Sequence, residues 1–281
     1  MLLSKFIFFF LLTSLSLCIS PSRGLARESD EIEKRIISLN SLGADIVSKL
    51  DNDSLVGIPG SSLLKKDDKF AGKVIVSEGR MPPSLEKIIK LKPSLVIGSE
   101  GFHDKILDKL ADLNIETLKT NTKSINQLEI LIKDLAFYLN KNPSSVNDNI
   151  KSCYFNTSKD RGSAVILAST KPLLSPNSNS WAGKLLDRFN FDNISKDLES
   201  KTEFKGYVNL SPEIILKKKP SKIIVISFPG MNQNSLLANP ILKKIINSNK
   251  NNAIVTFNYY GLINPGSLKT INSACKKLSN I

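Results

Sequence analysis

His103 is the only histidine in the sequence, and that alone narrows the chemistry open to the chain. A hydrolase triad would have to recruit it, yet the sequence has no Gly-x-Ser-x-Gly elbow to present a nucleophile. The Gly-rich loops that cradle phosphates in nucleotide enzymes are absent too. Zinc needs three or four clustered ligands. One histidine and the distant cysteines Cys153 and Cys275, with no Cys-x-x-Cys, do not supply them. Neither catalysis nor a resident metal or cofactor is expected. What remains is a set of side chains suited to holding a ligand: Arg80, Phe102, His103, Trp181, Tyr207 and the adjacent pair Tyr259-Tyr260. Aromatic rings provide large contact area at little entropic cost, and an arginine fork suits an anionic oxygen.

These residues need elements to position them, and the hydrophobic pattern supplies an α/β alternation. Strands are predicted at Arg35–Leu39, Leu55–Ile58, Val74–Val76, Leu95–Ile97 and Glu116–Leu118, with helices over Ala44–Leu50, Ile106–Leu113 and Ile125–Leu139. The second half repeats the alternation. Strands fall at Ala164–Ala168, Ile223–Ile226 and Ile254–Phe257, and helices at Ala182–Phe189, Ile241–Ile246 and Leu268–Leu278. Such alternation indicates parallel sheets. Ligands of open parallel sheets sit beyond the carboxyl ends of the strands. Phe102 and His103 follow one such end, Tyr259 and Tyr260 another, and Trp181 starts a helix after the Ser175–Ser180 loop.

A repeat underlies the two halves. Ser84-Leu85-Glu86 opens a short apolar and basic run that stops at Pro93 and leads into Ser94-Leu95-Val96-Ile97. Ser211-Pro212-Glu213 does the same, stopping at Pro220 before Ser221-Lys222-Ile223-Ile224-Val225-Ile226. Ser suits the cap, Glu the positive end of the helix dipole, and Pro212 the first helical position. Two copies of one helix–strand unit argue for two similar lobes. Between them Pro143–Gly162 is polar, with Val146, Ile150, Cys153 and Tyr154 at helical spacing, and reads as a bridging helix. Cys153 and Cys275 fall on different predicted helices. They can pair in an oxidising compartment or stay as buried thiols.

The first residues read as a secretory leader. Lys5 precedes the apolar stretch Phe6–Leu17, which is too short to span a bilayer, and Gly24-Leu25-Ala26 offers a cleavage site. A lipoprotein leader ending at Cys18 is the weaker alternative, because Leu17 is bulky where a small residue is expected. Losing Lys5 and Arg23 with residues 1–26 takes 39 basic side chains to 37 against 26 acidic ones, a formal +11. The lysines are scattered and not interleaved with aromatics, so nucleic acid is not the expected partner. A positive field does favour anionic ligands.

From Arg35 to its end the chain resembles the substrate-binding proteins of ABC importers for siderophores, haem and vitamin B12. The marks are Arg35-Ile36-Ile37-Ser38-Leu39, the Ser84–Ile97 block, Gly206-Tyr207-Val208-Asn209-Leu210-Ser211-Pro212-Glu213, and Asn264-Pro265-Gly266-Ser267-Leu268. The resemblance implies two Rossmann-like lobes (residues 27–142 and 163–281), each with a central parallel sheet. They would be joined by one long helix over 143–162, with the ligand cleft between the lobes. It implies a periplasmic monomer that delivers its ligand to an ABC permease in the inner membrane, with Glu86 and Glu213 docking against permease arginines. The ligand marks are mixed. Arg80, six residues before Glu86, matches an arginine of hydroxamate-siderophore binders. Ser99-Glu100-Gly101 and Phe204-Lys205-Gly206-Tyr207 look like haem binders. Many haem binders carry a tyrosine iron ligand where this chain has Glu78-Gly79-Arg80, so His103 or a tyrosine would have to serve. Cobalamin is the alternative, although its binders usually line the cleft with several tryptophans and this chain has only Trp181.

Overall fold

β1 (Ile36–Ser38) sends alternate side chains into two different cores. Ile36 packs with Ile97 and Leu128, whereas Ile37 packs with Val96, Ile88 and Leu107. A strand buried on both faces reads as an unbroken aliphatic run, which is why it was legible in the sequence. The computed structural model describes residues 33–78, 81–154, 159–170, 172–199, 205–228, 240, 243–244 and 253–281. The expected leader at 1–26 lies outside them, as does most of the helix expected at Ile241–Ile246.

After β1 come α1 (Ser41–Leu50), β2 (Leu55–Gly60), β3 (Val74–Glu78), α2 (Leu85–Lys90), β4 (Leu95–Ser99), α3 (Asp104–Asp112), β5 (Thr117–Thr120) and α4 (Ile125–Tyr138). The five strands form a parallel sheet in the order β3-β2-β1-β4-β5, with Ile36 opposite Leu95 and Ile37 opposite Val96. The order reverses between β1 and β4, so the strand ends diverge there and leave a crevice.

The second half contains β6 (Ser163–Leu167), β7 (Ser169–Thr170), β8 (Leu173–Pro176), α6 (Trp181–Arg188), β9 (Asp192–Asn193), β10 (Tyr207–Asn209), α7 (Pro212–Lys218), β11 (Lys222–Ser227) and β12 (Ala253–Asn258), then the C-terminal helix Leu268–Ser279. Its parallel sheet has the order β12-β11-β6-β9. A small antiparallel sheet, β10-β8-β7, covers stretches that read as loop, including Ser175. Strands of two to four residues carry too little alternation to be seen in sequence.

Both copies of the repeat fold alike. Ser84 Oγ accepts from the Lys87 amide (3.3 Å), and Ser211 Oγ from the Glu213 amide (3.2 Å). Lys92 and Lys219, each just before the stopping proline, adopt positive φ (46° and 43°). Each unit then enters a strand, β4 or β11, that pairs in parallel with the first strand of its own half.

The bridge departs from expectation. In its described part α5 (Ser144–Asn147) gives way to a 3-10 segment, Asp148–Tyr154, broken at Ile150 (φ −120°). One long helix is not what forms there. The run Asn147-Asp148-Asn149 favours local side-chain bonds over helix, and Asn149 Nδ2 does donate to the Ser145 carbonyl (2.7 Å). Val146, Ile150 and Cys153 are buried all the same. Cys153 is disulfide-bonded to Cys275 on the C-terminal helix, with Cα atoms 5.0 Å apart. Beside it the Ser152 amide donates to Asn272 Oδ1 (2.9 Å). One core, running from Ile36 through Ile150 and Trp181 to Leu278, joins the two halves, and Lys34–Ile281 packs as one compact unit.

Candidate functional site

A cavity of ≈ 920 Å3 opens at the carboxyl ends of the first sheet. Its walls come from the ends of β1 to β4 and the loops that follow them (Leu39; Pro59, Gly60, Ser61 and Ser62; Ser77, Met81, Pro82 and Pro83; Phe102 and His103), from Leu85 at the start of α2, and from α3 (Lys105, Ile106, Lys109). Tyr260 reaches it from the second half of the chain. A smaller cavity of ≈ 380 Å3 adjoins it and shares Leu39, Pro59, Phe102 and His103. It lies over the β1–β4 switch point, where Asn40 Nδ2 donates to Thr120 Oγ1 (3.2 Å) and the Thr120 hydroxyl donates to the Gly98 carbonyl (3.1 Å). The same Asn40 caps α1 by accepting from the Gly43 amide at 2.7 Å. Loop geometry at the three strand ends is thus set by one chain of polar contacts.

His103 is placed by the turn between β4 and α3. The Ser99 carbonyl accepts from the His103 amide (2.9 Å), and the Ser99 amide donates back to His103 Nδ1 (2.9 Å). Gly101 makes the turn at φ +78°, a conformation glycine adopts without steric cost. Gly98 lets α3 come close, since a Cβ there would meet His103 Cβ at 2.9 Å and Leu107 Cδ1 at 2.8 Å. Burial holds the imidazole pKa below its usual 6.5, with the Asp104 carboxylate partly opposing it. Phe102, beside it, is 89% exposed, an aromatic ring standing at the cavity mouth.

On the other side Tyr259 stacks on Phe228 (centroids 5.0 Å apart) and meets Tyr260 edge-on (5.3 Å). Gly261 turns the chain just after the pair at φ +97°, and its carbonyl accepts from Trp181 Nε1 (2.9 Å). Trp181 is a core residue, 4% exposed, with its only polar group satisfied. Its place in the structure is beneath the tyrosine turn and not on the cavity wall where its position after the Ser175–Ser180 loop had put it. Tyr207 is half-buried on β10, outside the two cavities that His103 lines. Burial, reinforced by the neighbouring Tyr259, pushes its pKa up. Tyr259 lines a third cavity with Phe228, Phe257 and Tyr260. Arg80 lies outside the described residues.

The structure therefore brings Phe102, His103 and Tyr260 to one cavity and places Trp181 and Tyr207 elsewhere. It adds Met81, Lys105 and Lys109, which sequence reasoning passed over. The two lysines left a signal: they stand four apart on the helix that begins just after His103. Glu86 and Glu213 are exposed in the first turns of α2 and α7, and neither forms an ion pair among the described residues. Among those residues no group of three or more His, Cys, Asp or Glu side chains is placed to hold a metal ion. No described helix is long and apolar enough to cross a membrane.

Two α/β halves with parallel sheets and a cavity at the strand ends define a binding protein of the two-lobed kind. The chain belongs to the periplasmic binding protein family, which matches it over residues 36–259. Solved structures share the fold. One is the periplasmic vitamin B12 binding protein BtuF of Vibrio cholerae, with TM-score 0.68 and 19% identity, covering 88% of this chain and 95% of that one. Another is the periplasmic heme-binding protein RhuT of Roseiflexus sp. RS-1, with TM-score 0.62, 18% identity and coverage of 88% and 99%. A third is CeuE of Helicobacter pylori with Ni(II) bound, with TM-score 0.66, 20% identity and coverage of 88% and 83%. At these identities the likeness shows the fold alone. No curated protein matches the sequence.

Proposed function

We propose that this protein is the exported solute-binding component of an ABC importer, capturing a bulky iron chelate, haem or a siderophore, and handing it to a membrane permease. The observation that carries the reading is the ≈ 920 Å3 cavity walled by Phe102, Met81 and Ile106 on one side and Tyr260 on the other. That volume is at the upper end for ligand sites and suits a large, partly flat molecule. Export is supported by Lys5, the apolar Phe6–Leu17 stretch and Gly24-Leu25-Ala26. The exposed Glu86 and Glu213 at the heads of matched helices support the docking role. A carboxylate there makes charge-assisted bonds to an arginine fork, and two such points fix orientation. Titration with haem, ferric siderophores and cobalamin, followed by absorbance, tests the reading. Saturable binding of an iron chelate, weakened in Phe102→Ala and Tyr260→Ala, is the expected result. Binding of cobalamin alone overturns the iron assignment, and binding of none of them overturns the chelate reading.

A further inference from the structure

The Ser99–His103 hydrogen bond decides what His103 can offer a ligand. A backbone N–H only donates, so the Nδ1 atom that accepts it at 2.9 Å must be a bare lone pair. A neutral imidazole keeps one proton, which then sits on Nε2. Burial favours that neutral form. Histidines that bind metal show the reverse arrangement, with the second ring nitrogen donating a proton to its support. A second observation lies on the next helix turn. α3 segregates its charges: Asp104 and Asp108 face Lys119 (3.9 and 2.8 Å). Lys105 and Lys109 point to the cavity and form no ion pair among the described residues. Among the described residues no Asp or Glu lines that cavity. Glu100 lines the smaller one, where Asn121 Nδ2 donates to it.

We propose that His103 is a hydrogen-bond donor and not an iron ligand, and that with Lys105 and Lys109 it forms a donor-only wall selecting ligands that present anionic oxygens, carboxylates foremost. The proposal rests on the cleft reading above and narrows it. An iron bound here keeps the ligands its chelate brings or takes one from a residue other than His103. A ligand whose two ends differ in charge will lie with its acidic end against α3.

The only histidine in the chain is also its own reporter. In protein labelled with 15N-histidine, the ring nitrogens should show Nε2 protonated and Nδ1 bare. The same pattern should persist on adding gallium protoporphyrin IX, a diamagnetic dicarboxylate. Its dimethyl ester, and the diacid with the Lys105→Gln/Lys109→Gln variant, should each bind at least about tenfold more weakly. The variant alters two exposed side chains, and circular dichroism checks that it folds. A free protein with the proton on Nδ1, or loss of the Nε2 proton on binding, overturns the proposal. So does equal affinity for diacid and diester, or failure of both the diacid and ferric citrate to bind. The cleft reading fails separately, when Phe102→Ala and Tyr260→Ala leave affinity unchanged; the tautomer of the free protein does not depend on that result.

Discussion

The Leu268 amide donates to Asp45 Oδ2 at 2.8 Å across 223 residues of sequence. Asp45 belongs to α1 in the first half, and Leu268 is the first residue of the C-terminal helix in the second. The carboxylate is buried, and its other oxygen accepts from Lys69 Nζ at 2.5 Å. A carboxylate at the start of a helix meets both unpaired N–H groups and the positive end of the dipole. This contact pins the last helix to the first half next to the Ser267–Thr270 capping box. Asp45→Ala leaves the buried Leu268 amide without its acceptor and Lys69 with only Asp67, 3.6 Å away, and should cost about 2–3 kcal/mol, read by urea unfolding. Asp45→Asn keeps one acceptor and should lose less.

The disulfide closes a loop of more than a hundred residues between the bridge and the same helix. Replacing both cysteines, Cys153→Ala with Cys275→Ala, should lower stability by about 2–4 kcal/mol through the freer unfolded chain. Thermal unfolding with and without reductant checks it. Reductant should lower the midpoint of the native protein and leave the double variant unmoved.

Gly261 is irreplaceable on two counts. Its φ of +97° disfavours any side chain, and an added Cβ would meet the Thr270 carbonyl oxygen at 2.1 Å. Gly261→Ala should therefore destabilise by more than about 2 kcal/mol. It should also loosen the Trp181 bond, shifting the emission of the single tryptophan to the red. An unchanged spectrum would show that Trp181 does not depend on this turn.

His103 predicts a pH dependence whose sign follows from its lowered pKa. Above 6.5 the folded and unfolded imidazoles are both neutral, and the group contributes nothing that varies with pH. As pH falls below that value the unfolded chain takes up a proton that the folded chain resists, so stability is lost down through the folded pKa. Asp104 opposes the shift without reversing it. The facing Ser99 amide adds to the penalty, because a protonated Nδ1 would confront another donor. His103→Asn keeps an acceptor for Ser99 and should lack this part of the acid limb. Urea midpoints of both proteins between about pH 5 and pH 8 provide the comparison.

Glu86→Ala and Glu213→Ala should leave ligand affinity unchanged, since both carboxylates sit outside the described cavities. Uptake in cells, or binding to the permease, should fall in each single variant and further in the double one. Equal uptake by the double variant would reduce both residues to partners of their own helix dipoles, worth about 0.5 kcal/mol each.

Local rules make much of the fold readable in the sequence. Aliphatic runs such as Ile223–Ile226 show as buried strands because both faces are covered, and the Ser84 and Ser211 caps show as helix starts because the cap bond spans only two or three residues. Phe102 and His103 were legible as cavity-lining residues for a similar reason: they follow a strand end, and the cavity opens at the strand ends. Tertiary structure decided the rest, wherever the outcome turned on partners distant in sequence. Nothing near Trp181 announces that its indole N–H will be claimed by Gly261, which takes it off the cavity wall. Whether Cys153 and Cys275 pair depends on a 5.0 Å approach that the fold must create. The bridge breaks at Ile150 because its polar residues bond locally while its apolar ones follow the shared core, a contest that helical spacing alone cannot score. The charge pattern of α3 is visible in the sequence, but only the packing of Asp104 and Asp108 against Lys119 turns Lys105 and Lys109 toward the cavity. Sequence determines what is settled within a few residues; charge placement and burial across the chain are settled by what the fold brings into contact.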